Sequence, residues 1–297
     1  MRSYFSTMIM KAFWALVLLS SPSSFAFVSP RHNRRLPCPL LRRAIPPERV
    51  GNVEILADAD AVSAKVVDIL NEAAAAAIKE RGAFALAIPG GSILNMLAGA
   101  SSPSWASKTV LVYVNHKCVA MDDAELATHA KAEKKFLSTW EGVRPILLSG
   151  SADSAAEAAA YESALRGLSA ETLPLSEDGS LPVFDLALIG VGDDGHVGSL
   201  YPGRAEVLEE EKWVLPVDMK KPGSITLSLP VMAAAKKVVI AACGVSEKYP
   251  QGKSAGMRRA IEEPETLESF PASGLRGKAT WCIDEAAGSK LHRLYRE

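Results

Sequence analysis

Asp193, Asp194 and His196 lie together in Gly190-Val191-Gly192-Asp193-Asp194-Gly195-His196-Val197-Gly198, directly after the apolar run Phe184 to Ile189. Histidine titrates near neutral pH, and a neighbouring carboxylate can orient it and raise its basicity. Asp194 and His196 are therefore a candidate acid/base pair, with Asp193 beside them. The same glycines satisfy G-x-G-x-x-G, the pattern of a dinucleotide turn. Two aspartates would place negative charge where a pyrophosphate lies. Pro202-Gly203 limits the short helix expected after His196 to about two turns, too little for the crossover of a nucleotide-binding unit. Nicotinamide and flavin are excluded on those grounds. The spacing is not that of a calcium loop, and a solitary histidine makes a poor transition-metal site. The expectation is acid/base chemistry with no metal and no cofactor.

Two further stretches carry polar groups at the ends of apolar runs. Pro89-Gly90-Gly91-Ser92 follows Ala83 to Ile88 and opens a helical segment. Glycines let backbone N–H groups turn toward an anion, and Ser92 adds a hydroxyl, so Gly90, Gly91 and Ser92 are candidate phosphate ligands. Gly244 to Lys248 follows Val238 to Ala242 and offers the Lys248 ammonium to the same anion. Gly252-Lys253-Ser254 resembles the end of a P-loop, but Glu247 stands at its first glycine position, which rejects ATP.

The elements that must position these groups alternate between helical and strand periodicity. Helices are expected at Asp58 to Arg81, stopped by Gly82, at Asp123 to Leu137 with Asp123 as N-cap, at Ser151 to Leu168, and at Asp284 to Leu291. Short strands are expected at Ala83–Ile88, Val110–Val114, Ile146–Leu148, Phe184–Ile189, Trp213–Val217, Ile225–Leu229, Val238–Ala242 and Thr280–Ile283. Continuous apolar runs between helices predict a doubly wound, mostly parallel, Rossmann-like α/β sheet with helices on both faces.

Composition is that of a globular chain: 48% hydrophobic and 23% charged over 297 residues. Of the 33 Lys and Arg, seven fall in residues 1–47, which hold no acid; the other 26 face all 34 Asp and Glu, a net of −8. An acidic body argues against nucleic acid as partner. Ile9 to Leu19 is apolar but too short to span a bilayer, Ser24-Phe25-Ala26 offers a cleavage site, and an Arg/Pro-rich, acid-free segment follows. Residues 1–47 therefore read as a two-part leader, and residues 48–297 as a single domain. Such a leader resembles those that direct proteins to complex plastids; plain secretion is the alternative. The body is expected to hold no stable membrane association and to act as a monomer or weak homo-oligomer. Cys38 lies in the leader; Cys118, Cys243 and Cys282 form neither a CxxC pattern nor a disulfide framework and are expected to be buried thiols.

Gly-Gly-Ser after an early strand, Gly-x-Gly-x-Asp-Gly-His after a middle strand and Gly-x-x-x-Lys after a late strand together resemble the 6-phosphogluconolactonase and glucosamine-6-phosphate isomerase superfamily. The likeness runs through most of residues 50–292, including Ile225-Thr226-Leu227-Ser228-Leu229-Pro230 and Trp281-Cys282-Ile283-Asp284. Ser199-Leu200-Tyr201-Pro202 resembles the lactonase branch. The resemblance implies hydrolysis of 6-phosphoglucono-1,5-lactone to 6-phosphogluconate, a step of the oxidative pentose phosphate pathway. It implies that Gly90, Gly91 and Ser92 hold the phosphate of this small sugar-phosphate substrate with help from Lys248, and that Asp194 and His196 lie at the reacting ring. The chain departs from the pattern at Asn115-His116-Lys117, where lactonases usually carry Asp-Glu-Arg, at Leu126-Ala127 for Ser-Asn, and at Ser224 for Arg. Lys117 keeps a positive charge without the planar fork of arginine. Asn115 and His116 are expected near the pocket. A diverged sugar-phosphate-binding protein and an aminosugar-phosphate isomerase/deaminase are the alternatives.

Overall fold

The computed structural model describes residues 50–245 and 252–292, all within one compact unit. The leader and Lys248 lie outside the described residues. In chain order the elements begin β1 (Val53–Leu56), α1 (Ala59–Arg81), β2 (Phe84–Ile88), α2 (Ile93–Leu97), β3 (Thr109–Tyr113), β4 (Asn115–Lys117), α3 (Thr128–Lys135) and β5 (Arg144–Pro145). They continue with α4 (Ser154–Arg166), β6 (Leu186–Ile189), β7 (Val214–Val217), β8 (Ser224–Leu227), α5 (Leu229–Ala234), β9 (Lys237–Ala242), α6 (Ser254–Ile261) and β10 (Ala279–Asp284).

Side chains of β2 leave alternately from the two faces of the sheet. Phe84, Leu86 and Ile88 join one buried cluster with α1, α2 and α3. Ala85 and Ala87 join another with α4, α5, α6, β7 and β8. Burial on both faces requires apolar residues at every position, so the strand reads as an unbroken apolar run. Seven strands pair in parallel in the order β1-β10-β9-β6-β2-β3-β5, and the antiparallel trio β4-β8-β7 forms a second, small sheet. The architecture is the parallel α/β sheet with helices on both faces that the periodicity predicts.

The order of strands locates a crevice. From β2 the chain moves outward to β3 and β5, then returns to β6 on the other side of β2 and moves outward again to β9 and β10. The connections leaving β2 and β6 therefore diverge, and a gap opens beyond the C-terminal ends of these two neighbours, the place where open α/β sheets bind ligands. Leu86 and Ala87 pair with Leu186 and Ala187, so the loops that begin at Pro89 and Gly190 flank that gap.

Local chemistry explains several boundaries. The Asp58 carboxylate accepts the Ala61 N–H at the start of α1, and Gly82 ends the helix with φ +78°. The helix expected from Asp123 begins only at Thr128: the Asp123 carboxylate accepts the N–H groups of Glu125 and Leu126 as a cap would, but these residues form a turn before α3. No helix follows His196. Gly198 and Gly203 take φ of +58° and +72°, and Val197 bridges both Val191 and Leu200, so the segment is a series of turns. The closing helix is also replaced by turns: the Asp284 carboxylate accepts the Gly244 and Ala287 N–H groups, tying this end to β9. β5 pairs earlier than expected, at Arg144–Pro145, although the Ile146 N–H still reaches Leu111 O at 2.8 Å. Among the described residues no helix is long and apolar enough to cross a membrane.

Candidate active site

The loop after β6 folds back on itself. Gly192 N–H donates to His196 O at 2.9 Å, and Gly195 N–H donates to Gly192 O at 3.1 Å. Gly195 has φ +86°, and a β-carbon there would overlap the Phe270 ring. Gly192 lies under the His196 ring, where a β-carbon would overlap Nδ1 and Cε1. Asp193 is exposed and its carboxylate accepts the Asp194 N–H at 3.1 Å, which makes it a turn residue. The glycines of the sequence pattern thus serve to seat an imidazole against a carboxylate.

Asp194 Oδ1 accepts the His196 backbone N–H at 3.1 Å and lies 2.5 Å from His196 Nδ1. Burial opposes its charge, but the backbone and ring of His196 outweigh burial and hold the Asp194 carboxyl below the ordinary range. An ionised carboxylate only accepts, so Nδ1 carries a proton, and in the neutral ring the lone pair is then on Nε2. Among the described residues no partner takes Nε2. The N–H groups of Gly192, Asp194, Gly195 and His196 are all committed inside the turn.

Across the gap, the N–H groups of Gly90, Gly91 and Ser92 donate to no group among the described residues, and the Ser92 side chain makes no capping bond. Gly91 has φ +84°, a left-handed backbone that glycine adopts without strain. Gly90 packs so closely on α3 that a β-carbon would stand 3.2 Å from Thr128 Oγ1.

The Asn115-His116-Lys117 segment becomes β4, and its pairing with β8 fixes which side each residue takes. Asn115 Nδ2 donates to Ser199 Oγ at 3.3 Å, joining the small sheet to the histidine loop. Ser199 also accepts from Ser224 Oγ at 3.2 Å, and its N–H donates to Thr226 Oγ1 at 3.1 Å. Lys117 Nζ donates to Pro222 O at 3.0 Å. His116 points the other way, contrary to the expectation of a pocket residue. It is 1% exposed, its Nδ1 lies 2.7 Å from Lys117 O, and its Nε2 accepts the His129 N–H at 3.1 Å. Both ring nitrogens are occupied in joining α3 to β4.

Three residues join the site without having been singled out for it. Tyr201 lies against the His196 ring, with centroids 4.9 Å apart. Lys220 Nζ stands 4.8 Å from the centroid of Tyr201. Lys253, dismissed with the P-loop reading, is nearly buried at the start of α6 and donates to Val191 O at 3.1 Å, on the histidine loop. Its Gly-Lys-Ser setting at a helix start was the available signal. The three cysteines among the described residues are free; burial pushes the thiols of Cys118 and Cys243 up to about 11 and that of Cys282 up to about 12, which removes their thiolate chemistry near neutral pH.

The profile of the family described as glucosamine-6-phosphate isomerases/6-phosphogluconolactonase matches residues 57–282. An Arabidopsis thaliana protein named "Probable 6-phosphogluconolactonase 1" is 32% identical over 263 residues, covering 82% of this chain and 95% of that protein. "6-phosphogluconolactonase 3, chloroplastic" of the same plant is 31% identical over 227 residues, covering 72% and 67%. The crystal structure of 6-phosphogluconolactonase from Leishmania guyanensis superposes with a TM-score of 0.68 at 22% identity, covering 82% of this chain and 99% of that one.

Gly192→Ala is expected to displace the imidazole and break its contact with Asp194. The change should appear as shifted His196 ring-nitrogen resonances with a nearly unchanged urea midpoint; unshifted resonances would contradict the role given to Gly192. His116 supplies a pH dependence. Burial lowers its pKa, so below about pH 6.5 the unfolded chain binds a proton that the native one refuses. Its contribution to stability is complete above that pH and drains away as pH falls toward the depressed native value. His116→Gln should lose less stability than wild type between about pH 7 and pH 5, read from urea midpoints.

Proposed function

The chain belongs to the glucosamine-6-phosphate isomerase/6-phosphogluconolactonase family, and on that premise we propose that it is a lactone hydrolase opening 6-phosphoglucono-1,5-lactone to 6-phosphogluconate. The observation that carries this reading is the Asp194–His196 contact at the switch point of the sheet, with Nε2 unpartnered. His196 Nε2 takes a proton from water as the water oxygen bonds to the lactone carbonyl carbon. The tetrahedral oxyanion then collapses, the bond from that carbon to the ring oxygen breaks, and His196 returns the proton to the departing oxygen. Asp194 keeps the Nδ1 proton in place and stabilises the imidazolium between the two transfers.

Gly90, Gly91 and Ser92 hold the phosphate with their uncommitted N–H groups, and Lys117 adds a positive charge. Lys248, outside the described residues, is part of the same proposal; on the same β9–α6 connection, Lys253 is the described cation that reaches the histidine loop. Anchoring the phosphate fixes the distant carbonyl against the base, which lowers the entropic part of the barrier.

With lactone generated in situ and spontaneous hydrolysis subtracted, wild type should turn over and His196→Ala should lose about 10²–10⁴-fold in kcat. Equal rates would remove the histidine mechanism. Absent wild-type turnover with retained sugar-phosphate binding would select the diverged binder, a reading that the Asn115-His116-Lys117 departure supports. Residues 1–47, outside the described residues, are proposed to direct the protein to the plastid, an address that the chloroplastic relative favours. Fused to a fluorescent protein, they should carry it into plastids; export from the cell would select secretion.

A further inference from the structure

Helix α3 begins without a cap of its own. The residue before it is Ala127, whose backbone is extended as a capping residue's is, but whose methyl group accepts no hydrogen bond. The first N–H groups of a helix have no partner within it. One of them, the His129 N–H, is taken by His116 Nε2 from β4 at 3.1 Å. The other ring nitrogen suits this role: Nδ1 lies 2.7 Å from Lys117 O, which can only accept, so the proton sits on Nδ1 and Nε2 is left as the acceptor. The ring is 1% exposed and meets the Tyr113 ring edge-on, and the Tyr113 hydroxyl lies 2.8 Å from His129 Nδ1. Two places where the chain departs from the lactonase pattern, His116 and Leu126-Ala127, thus meet at one helix start.

Thr128, the first residue of α3, covers the loop after β2. A β-carbon on Gly90 would stand 3.2 Å from Thr128 Oγ1 and 3.7 Å from its Cγ2. The start of α3 is therefore one wall of the Gly90-Gly91-Ser92 loop, and a fraying helix start would release that wall. We propose that His116 is a positioning residue: it caps α3 from another strand and so holds Thr128 against Gly90, keeping the Gly90-Gly91-Ser92 loop in one conformation. The consequence for substrate rests on the sugar-phosphate reading above; the cap itself does not. Buried as it is, His116 acts only through α3, so its loss weakens anchoring and leaves the proton-transfer pair intact.

The test separates a cap from a packing group. His116→Leu fills the space and removes the acceptor. Ala127→Ser in that background offers the helix start an acceptor from its ordinary capping position. In the full protein, His116→Leu should shift the Gly90 and Gly91 amide resonances and leave the His196 ring resonances in place. KM for the lactone should rise about three- to tenfold, the size of a lost cap, with kcat within about twofold, the pattern of lost uniform binding. Adding Ala127→Ser should return both readings toward wild type, and His116→Gln, which keeps an acceptor, should stay near it. Unmoved Gly90 and Gly91 resonances in His116→Leu would overturn the proposal, as would a double variant that restores neither reading. If His116→Leu alone does not fold, the double variant decides: folded with wild-type Gly90 and Gly91 resonances it upholds the proposal, and unfolded it overturns it. A wild type that opens no lactone, yet whose Gly90 and Gly91 resonances move with His116→Leu and return with Ala127→Ser, would uphold the cap while sinking the lactonase reading.

Discussion

A side chain at position 192 would overlap the imidazole of His196. The absence of that one β-carbon leaves room for the ring against Asp194, in a loop closed by the Gly192 N–H on His196 O. The remaining structure serves to hold this turn in place. Phe270 fills the space beside Gly195, Gly256 of α6 packs on the Asp193 backbone, and Thr226 of β8 receives Ser199 just downstream. A turn with glycines at 190, 192, 195 and 198 is costly to order. It is kept in one conformation because three separate elements press on it.

Parallel pairing adds a second constraint. All seven strands of the large sheet run one way, so every strand-to-helix loop emerges at the same edge. The Gly90-Gly91-Ser92 loop after β2 and the Asp194–His196 loop after β6 become neighbours because β2 and β6 pair, although a long stretch of chain separates them. The small sheet then ties Asn115 to Ser199, just downstream of the histidine loop.

Much of the fold was legible in local chemistry. The limits of α1 follow from Asp58 and Gly82, and β2, β6 and β9 announce themselves as apolar runs ending in glycine. The Asp194–His196 pair was legible for the same reason: two residues apart in a glycine turn, they have few ways to avoid each other. The failures were also local in form. Asp123 makes the contacts of a helix cap, with the N–H groups of Glu125 and Leu126, but the chain completes only a turn there and α3 starts at Thr128. The stretch after His196 looked helical, but positive-φ glycines and the bridges of Val197 forbid it.

The residue types at each strand end, and so the kinds of chemistry available, were determined by the sequence alone. Backbone preferences of glycine, proline and apolar runs act over a few residues and need no partner. Tertiary structure alone decided which polar side chains meet. β4 is three residues long and has no periodicity of its own; its pairing with β8 places Lys117 toward Pro222 and sends His116 into the interior. One residue of slip would exchange them. The Pro222 carbonyl meets Lys117 for the same reason, across 105 positions of sequence. Contacts of that separation are set by the register of strands, which no local pattern encodes.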